Sequence, residues 1–153
     1  MIQRIQTVFL LLAIIALGLF LYFPLLRFES NHFVQEFRGW EVYYRYNGSL
    51  SFLRGYLYYV NLILTGTALG LTLISIFMFK NRSLQMLLCW FALIFTVFAL
   101  GFVYYQYQTW VFMGFVVLRK WALFAILAMV FQVLAIFFIR RDEELLKSVD
   151  RLR

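Results

Sequence analysis

Side chains that could do chemistry are few in this 153-residue sequence, which holds one histidine, His32, and one cysteine, Cys89. A metal site normally needs several His, Cys or carboxylate ligands, and His32 has no second His or Cys near it. Cys89 lies in an apolar stretch, where a thiol is expected to stay protonated and unreactive. The sequence also lacks the HExxH and GxSxG motifs. We therefore predict no catalytic, cofactor-binding or metal-binding residue and no enzyme activity.

A layer of neutral polar side chains is the remaining candidate for a site. Thr72, Cys89 and Gln132 each lie seven or eight residues from a basic cluster at the end of an apolar stretch, so they could meet at one depth. Such a layer could line a path for a neutral solute. In the interpretation that we favour, Thr72 hydrogen-bonds to its own helix and Gln132 links neighbouring helices.

The composition excludes an ordinary soluble domain. Hydrophobic residues make up 65% of the chain and charged residues only 14%, whereas about a quarter of a soluble domain is charged. The formal net charge is +7, but the basic residues lie in short clusters at the ends of apolar runs. This distribution favours contact with anionic lipid headgroups over binding to nucleic acid.

Clusters of charge divide the chain into four apolar stretches, because an ionised side chain at the bilayer centre costs about 3 kcal/mol. Each stretch is long enough to cross about 30 Å of hydrocarbon as a helix. The predicted spans are about 5–26, 55–79, 83–104 and 120–140 within a single domain, with an outer loop at 27–54 and a tail at 141–153. Residues 105–118 mix tyrosine, tryptophan and polar side chains, and we interpret them as a wet or interfacial connection.

The distribution of Lys and Arg predicts the orientation. They are denser on the side that carries both termini and the turn at Lys80 and Arg82, and all ten tyrosines fall on the other side. By the positive-inside rule, both termini are then cytoplasmic. The first stretch could instead be a signal peptide, since Arg4 precedes its apolar core, but no small-x-small cleavage pattern follows it. We interpret it as a retained span.

Small and neutral polar residues recur at steps of three and four in the second and third spans. Close contact between helices in lipid depends on such residues, so we expect them to form a helix-packing seam. Its predicted members are Asn61, Thr65, Thr72, Ser75, Gln85, Cys89, Thr96 and, from the fourth span, Gln132. Counting outward from the turn at Lys80 matches Ser75 with Gln85 and Thr72 with Cys89. A repeat of 3.5 favours left-handed packing, so the predicted fold is an all-α, antiparallel, left-handed bundle of four transmembrane helices.

Gly66 and Gly70 lie four residues apart in the second span, on a face roughly opposite the seam. This small-xxx-small pattern lets two helix backbones approach closely. We favour close packing within the chain over association with another subunit, which stays open as the alternative.

The outer loop carries a hairpin signal at Asn47-Gly48, flanked by Val42–Tyr46 and Ser49–Leu53. A type I′ turn needs positive φ at both central positions, which Asn-Gly tolerates. In this register the facing pairs are Tyr43 with Phe52 and Glu41 with Arg54. The alternative is an irregular interfacial loop whose aromatic side chains enter the headgroup region.

The chain becomes strongly charged after Arg140 while leucine and valine recur at helical spacing. We expect a cytoplasmic amphipathic helix that continues the fourth span and either rests on lipid, which we favour, or binds a protein. The predicted partner surface comprises Trp40, Tyr43, Tyr44 and Tyr46 of the loop and Leu145, Leu146, Val149 and Leu152 of the tail. Arg119 and Lys120 beside Trp121 are interpreted as a headgroup anchor that could bind an anionic lipid.

Both ends of the chain and one turn carry a resemblance to a known family. The segments are the opening MIQRIQT of residues 1–7, the Lys80-Asn81-Arg82 turn with Gln85, and the closing RRDEE of 140–144 with DRLR of 150–153. Over its whole length the chain resembles a Bacteroidota family of small four-span membrane proteins, a domain of unknown function without an assigned activity. The resemblance implies a bacterial inner membrane and four spans, and it transfers no catalytic residue.

These observations lead to an expected function without chemistry. We expect a non-catalytic accessory or scaffold subunit of a larger inner-membrane assembly, with the lipid bilayer and other membrane subunits as partners and with no cofactor. The alternative is a small carrier or channel for a neutral or lipidic solute, running through the polar seam between spans 2, 3 and 4.

Overall fold

A computed structural model describes residues 2–29, 33–39, 41–46, 49–53, 56–79, 81–112, 116–118 and 120–150. The chain is mostly helical and carries a small antiparallel sheet. The helices are α1 (Ile2–Tyr22), α2 (Tyr56–Phe77), α3 (Arg82–Val111) and α4 (Leu123–Asp150), and a 3-10 turn at Lys120–Ala122 precedes α4. The strands are β1 (Pro24–Glu29), β2 (Phe33–Arg38), β3 (Val42–Tyr46), β4 (Ser49–Leu53) and β5 (Val116–Leu118).

Four helices are long and apolar enough to cross a membrane, in agreement with the number of spans predicted. They contact one another in a ring, α1 with α2, α2 with α3, α3 with α4 and α4 with α1. Near the start of α1, Phe9 stacks on Phe138 with ring centroids 5.4 Å apart. Just after α1 ends, Phe23 stacks on Trp121 at 4.4 Å. The helices α1 and α4 are therefore antiparallel.

Two helix ends differ from the predicted spans. The helix α1 ends at Tyr22, not at residue 26, because Pro24 lacks a backbone N–H and disfavours helical geometry in the residue before it. The helix α3 continues to Val111, seven residues beyond the predicted end of the third span, so the segment that begins at 105 starts as helix and not as a connection between helices.

The extension of α3 has a simple cause, because its buried stripe does not stop at the third span's predicted end. Buried residues recur at steps of three and four along the whole helix: Gln85, Cys89, Ala92, Thr96, Ala99, Val103, Gln106 and Trp110. The last of them, Trp110, contacts Phe28 and Phe37 of the sheet. A helix with one continuous buried face has no reason to end at the first polar residues of the opposite face.

The sheet has the strand order β4-β3-β2-β1-β5, with every neighbouring pair antiparallel. The predicted hairpin strands are confirmed as β3 and β4, and Tyr43 lies opposite Phe52 as predicted. The turn at Asn47-Gly48 and the residue Arg54, with its predicted partner pair, lie outside the described residues. The three other strands were not predicted, and they turn an isolated hairpin into a sheet that packs on the helices.

One face of the sheet is apolar and covers the ends of the helices. It carries Leu26, Phe28, Phe37 and Val42, which are all buried. The rings of Phe28 and Phe37 meet Trp110 edge to face, with centroids 6.4 Å and 6.3 Å away. The last turns of α3 are therefore fixed against β1 and β2. We call this end of the molecule the sheet end and the other end the opposite end.

Candidate functional site

The eight predicted seam residues all lie in the interior, each at most 3% exposed. They follow one face of α2 and one face of α3, the two helices that pack against each other, with Gln132 of α4 beside them. The set is Asn61, Thr65, Thr72, Ser75, Gln85, Cys89, Thr96 and Gln132. The contacts within this seam show whether its polar groups are available to a ligand or are used to hold the helices together.

Gln132 joins three helices at the middle of the seam. Its Nε2 donates a hydrogen bond to Thr72 Oγ1 at 3.3 Å, and its Oε1 lies 3.3 Å from Thr96 Oγ1. The Thr72 hydroxyl in turn donates to the Ala68 carbonyl four residues earlier at 2.7 Å. Thr96 Oγ1 shares its single proton between Gln132 Oε1 and the Ala92 carbonyl, which lies 2.8 Å away. This is the arrangement favoured from the sequence, with Thr72 bonded to its own helix and Gln132 acting between helices. On α3, the residue that contacts Gln132 is Thr96. The predicted layer had Cys89 of the same helix in this position.

Cys89 lies one step closer to the opposite end, where its buried thiol is next to the side chain of Ser75. Ser75 Oγ donates to the Thr72 carbonyl at 2.7 Å. Counting residues outward from the turn at Lys80 had predicted that Ser75 lies at the depth of Gln85. The difference arises because α2 ends at Phe77, two residues after Ser75, whereas α3 starts at Arg82, seven residues before Cys89. The first turns of α3 therefore extend past the end of α2.

Near the sheet end, Asn61 ties α2 to the connection between β2 and β3. Its Nδ2 donates to the Gly39 carbonyl at 3.1 Å, and the Gly39 N–H donates to the Leu21 carbonyl at 3.2 Å. The amide oxygen of Asn61, Oδ1, and the hydroxyl of Thr65 one turn further have no hydrogen-bond partner in the described part of the chain. These two atoms are the part of the seam that interhelical contact does not explain.

Gly39 is a structural residue that sequence reasoning missed. A Cβ at this position would lie 2.8 Å from the Leu21 Cα, so no other residue fits without movement of the backbone. The contact joins the end of α1 to a loop 18 residues later in the chain, so no local sequence pattern predicts it.

A second polar cluster lies at the opposite end and was also missed. The carboxylate of Asp142 on α4 pairs with Arg82 at the start of α3, with Nη2 and Oδ2 3.0 Å apart. Arg82 Nη1 also donates to the Asp142 carbonyl at 2.9 Å. From α1, Gln6 Nε2 donates to the Phe138 carbonyl at 3.0 Å and to Asp142 Oδ2 at 3.4 Å. The Arg82 and Asp142 side chains are only 16% and 13% exposed. This cluster, which we call the end cluster, joins α1, α3 and α4.

Gly66 and Gly70 do not form a close helix contact within the described chain. A Cβ built on either glycine meets nothing within 4 Å, and Gly66 is exposed. The favoured interpretation of in-chain packing is therefore wrong. The reason is that α2 contacts α1 and α3 through its other sides, which carry the buried Ala68 and Thr72.

The outer face of the sheet is polar. Arg27 forms ion pairs with Glu29 on its own strand and with Glu36 on β2. The guanidinium of Arg38 lies 4.6 Å from the centroid of the Tyr43 ring. A hydrogen bond with Glu41, then burial and the Glu41 charge, raise the pKa of Tyr43, and Arg38 opposes this shift. Arg27 is therefore neutralised by carboxylates of the same face.

The remaining predicted residues are only partly described. Four of the residues considered above, His32, Trp40, Arg119 and Leu152, lie outside the described residues. Tyr44 and Tyr46 lie in β3, and Leu146 and Val149 lie in α4, which continues without a break to Asp150 as predicted. Leu145 is 46% exposed. The ammonium group of Lys120 lies 5.3 Å from the Trp121 ring centroid. Among the described residues, no group of three His, Cys, Asp or Glu side chains could hold a metal ion.

The fold thus defines a multi-pass membrane protein by the length and apolarity of its four helices, joined by a polar seam and a small sheet. Residues 2–152 match the family described as Domain of unknown function (DUF4293), and the chain belongs to that family. The match confirms one part of the resemblance, namely that the chain belongs to an uncharacterised family without an assigned activity. No curated protein matches the chain.

Proposed function

We propose that this protein is a non-catalytic accessory or scaffold subunit of a larger assembly in the inner membrane of a bacterium of the Bacteroidota. The observation that carries the proposal is the bridge from Gln132 to Thr72 and Thr96. Polar groups at the depth where a transporter would bind its solute are engaged in holding three helices together. Function then depends on the surfaces that the helices present to other molecules.

The lengths of the elements support a placement in the bilayer. With 30 residues, α3 is about 45 Å long, whereas the hydrocarbon core is about 30 Å thick. The excess carries the exposed Tyr104 and Tyr105 at the sheet end, which fits an aromatic belt. In this placement the sheet lies on the outer side, both termini are cytoplasmic, and α4 extends into the cytoplasm. The steps of three and four along α3 favour left-handed helix packing.

Three surfaces are candidates for contact with partners. The outer face of the sheet includes Tyr43, one residue of the partner surface predicted above. The cytoplasmic extension of α4 presents Leu145. The face with Gly66 and Gly70 is free for another subunit, because nothing in the described chain packs closely on it. Lys120 with Arg119 would hold an anionic lipid headgroup at the outer interface.

Affinity purification from native membranes in a gentle detergent, followed by mass measurement, tests the proposal. We expect the chain to co-purify with at least one other membrane protein in stoichiometric amount. The variant Leu145→Asp should weaken this capture if the α4 extension contributes, whereas Glu144→Gln, at the neighbouring exposed position, should not. A lone chain, with no partner even after cross-linking in cells, would contradict the proposal.

A second candidate function rests on the two unpartnered atoms of the seam. Asn61 Oδ1 and Thr65 Oγ1 are fully buried polar atoms, and such groups usually bind a protein group, water or ligand. They favour a small carrier or channel for a neutral or lipidic solute through the seam. In a Cys89→Ser background, fast reaction of Thr65→Cys with a small water-soluble thiol reagent would favour this function. Protection equal to that of Thr72→Cys would count against it.

A further inference from the structure

The strand β4 forms one edge of the sheet, and no described strand pairs with its outer side, which we call the open edge. In the strand order it is terminal, and among the described residues it pairs only with β3. Its five residues, Ser49–Leu53, include no charged residue and no proline, and its register with β3 is continuous, without a bulge. Proteins usually protect an exposed edge with charge, proline, a bulge or a very short strand. The other edge, β5, has only three residues, which contact the end of α3.

The register shows which backbone groups of β4 face the open edge. Tyr46 pairs with Ser49 across a two-residue connection, and in a hairpin of that length the flanking pair is hydrogen-bonded. Bonded and non-bonded pairs alternate along an antiparallel ladder. Ser49, Ser51 and Leu53 therefore bond to β3, whereas the N–H and C=O groups of Leu50 and Phe52 point away from it.

We propose that β4 pairs antiparallel with β4 of a second copy of this chain, about a two-fold axis through Ser51. Leu50 of each copy then lies opposite Phe52 of the other, and their outward backbone groups form the hydrogen bonds of two bonded pairs. The two five-stranded sheets become one continuous sheet. The inference deepens the proposed function and rests on it, since it makes the outer sheet a contact surface and names the partner.

Symmetry favours a second copy as the occupant of this edge. A two-fold axis between antiparallel strands runs perpendicular to the sheet, so it leaves the apolar faces of both copies on the same side. That face, with Leu26, Phe28 and Phe37, covers the helix ends. The helices of both copies therefore enter one bilayer in the same orientation. Because β4 carries no charge, the new pairing also places no like charges opposite each other.

Disulfide formation in native membranes tests this register, using full-length chain in a Cys89→Ser background. In the proposed dimer the two Ser51 residues form a non-hydrogen-bonded pair, with Cα atoms about 4.5 Å apart, which a disulfide can bridge. We expect Ser51→Cys to give a cross-linked dimer under mild oxidation. Ser49→Cys is the matched control, because it lies opposite Leu53 and its symmetry mate is about 13 Å away along the strands. Its cross-linking should be at least about tenfold slower.

A second variant separates specific pairing from random collision. Leu50→Pro removes an N–H that points to the open edge and leaves the bonds to β3 intact. Added to Ser51→Cys, it should lower the cross-linked fraction by about tenfold, because two backbone hydrogen bonds are lost per dimer.

Any of four results would overturn the inference. Ser51→Cys and Ser49→Cys could cross-link equally, or Leu50→Pro could leave the Ser51→Cys cross-link unchanged. The dimer could instead be linked through Gly66→Cys, or Ser51→Cys could cross-link to a different protein. The last result would leave the proposed function standing. A chain that cross-links to nothing and purifies alone would contradict both.

Discussion

The middle of the seam and the end cluster each join three helices, but with different chemistry. In the seam, Gln132 uses a neutral amide, which offers both a donor and an acceptor and so serves two hydroxyls at once. In the end cluster, Asp142 only accepts, and it needs the cation of Arg82. An ion pair is tolerated at the membrane boundary, whereas a charge at the bilayer centre is costly. In the proposed placement, the depth of each polar contact in the bilayer therefore explains which side chain forms it.

The largest effect should come from breaking the end cluster. Asp142→Ala leaves the Arg82 guanidinium largely buried without its counterion, so we expect a loss of about 3 kcal/mol in the free energy of unfolding. The measurement is unfolding in mixed detergent micelles. Glu144→Ala is the matched control, because Glu144 pairs with Arg140 on the same helix but both side chains are well exposed, at 66% and 72%. It should change stability by less than about 0.5 kcal/mol, and an equal loss in both variants would contradict this account.

A third contact between elements lies at the sheet end, where the backbone of Gly39 packs against Leu21 at the end of α1. Gly39→Ala would press a methyl group against the Leu21 backbone, and we expect a loss of about 2 kcal/mol in unfolding free energy. Gly66→Ala is the control, because a Cβ there meets nothing within 4 Å and alanine favours the helix. Its stability should be unchanged or slightly higher. A tolerated Gly39→Ala would show that the loop does not press on α1.

The smallest effect should come from the middle of the seam. Gln132→Leu keeps the volume but removes the hydrogen bonds to both threonines, and we expect a loss of about 1 kcal/mol. A double-mutant cycle with Thr72→Val isolates the pair and should give a coupling of about 0.6 kcal/mol. Strictly additive losses would mean that the two side chains do not interact.

Sequence patterns predicted the parts of the fold that have a local signal. The seam was visible because small polar residues repeat at helical spacing in α2 and α3, and the β3–β4 pairing was visible because Asn47-Gly48 separates two short strands. The same repeat also continued through Gln106 and Trp110, although the tyrosines on the opposite face of α3 suggested an end. That boundary was available in the sequence but was misinterpreted.

Other parts depend on contacts far apart in the chain. Leu25 and Leu26 extend the apolar run of α1, so only Pro24 indicated that β1 begins there. The strand β5 exists because Val117 pairs with Arg27, 90 residues earlier. Asp142 was interpreted as part of a solvated tail, because nothing near it indicates that Arg82 and Gln6 surround it. These features depend on tertiary structure and have no periodic signal.

The central claim is that the seam is a dry joint between helices, and the reactivity of Cys89 tests it most directly. In intact membranes, a small water-soluble maleimide should label Cys89 at least about tenfold more slowly than it labels Ser83→Cys in a Cys89→Ser background, and denaturation should remove the difference. Position 83 is exposed at the start of α3 and reports access from water. Labelling of Cys89 as fast as that of Ser83→Cys would mean a hydrated interior and would contradict the account.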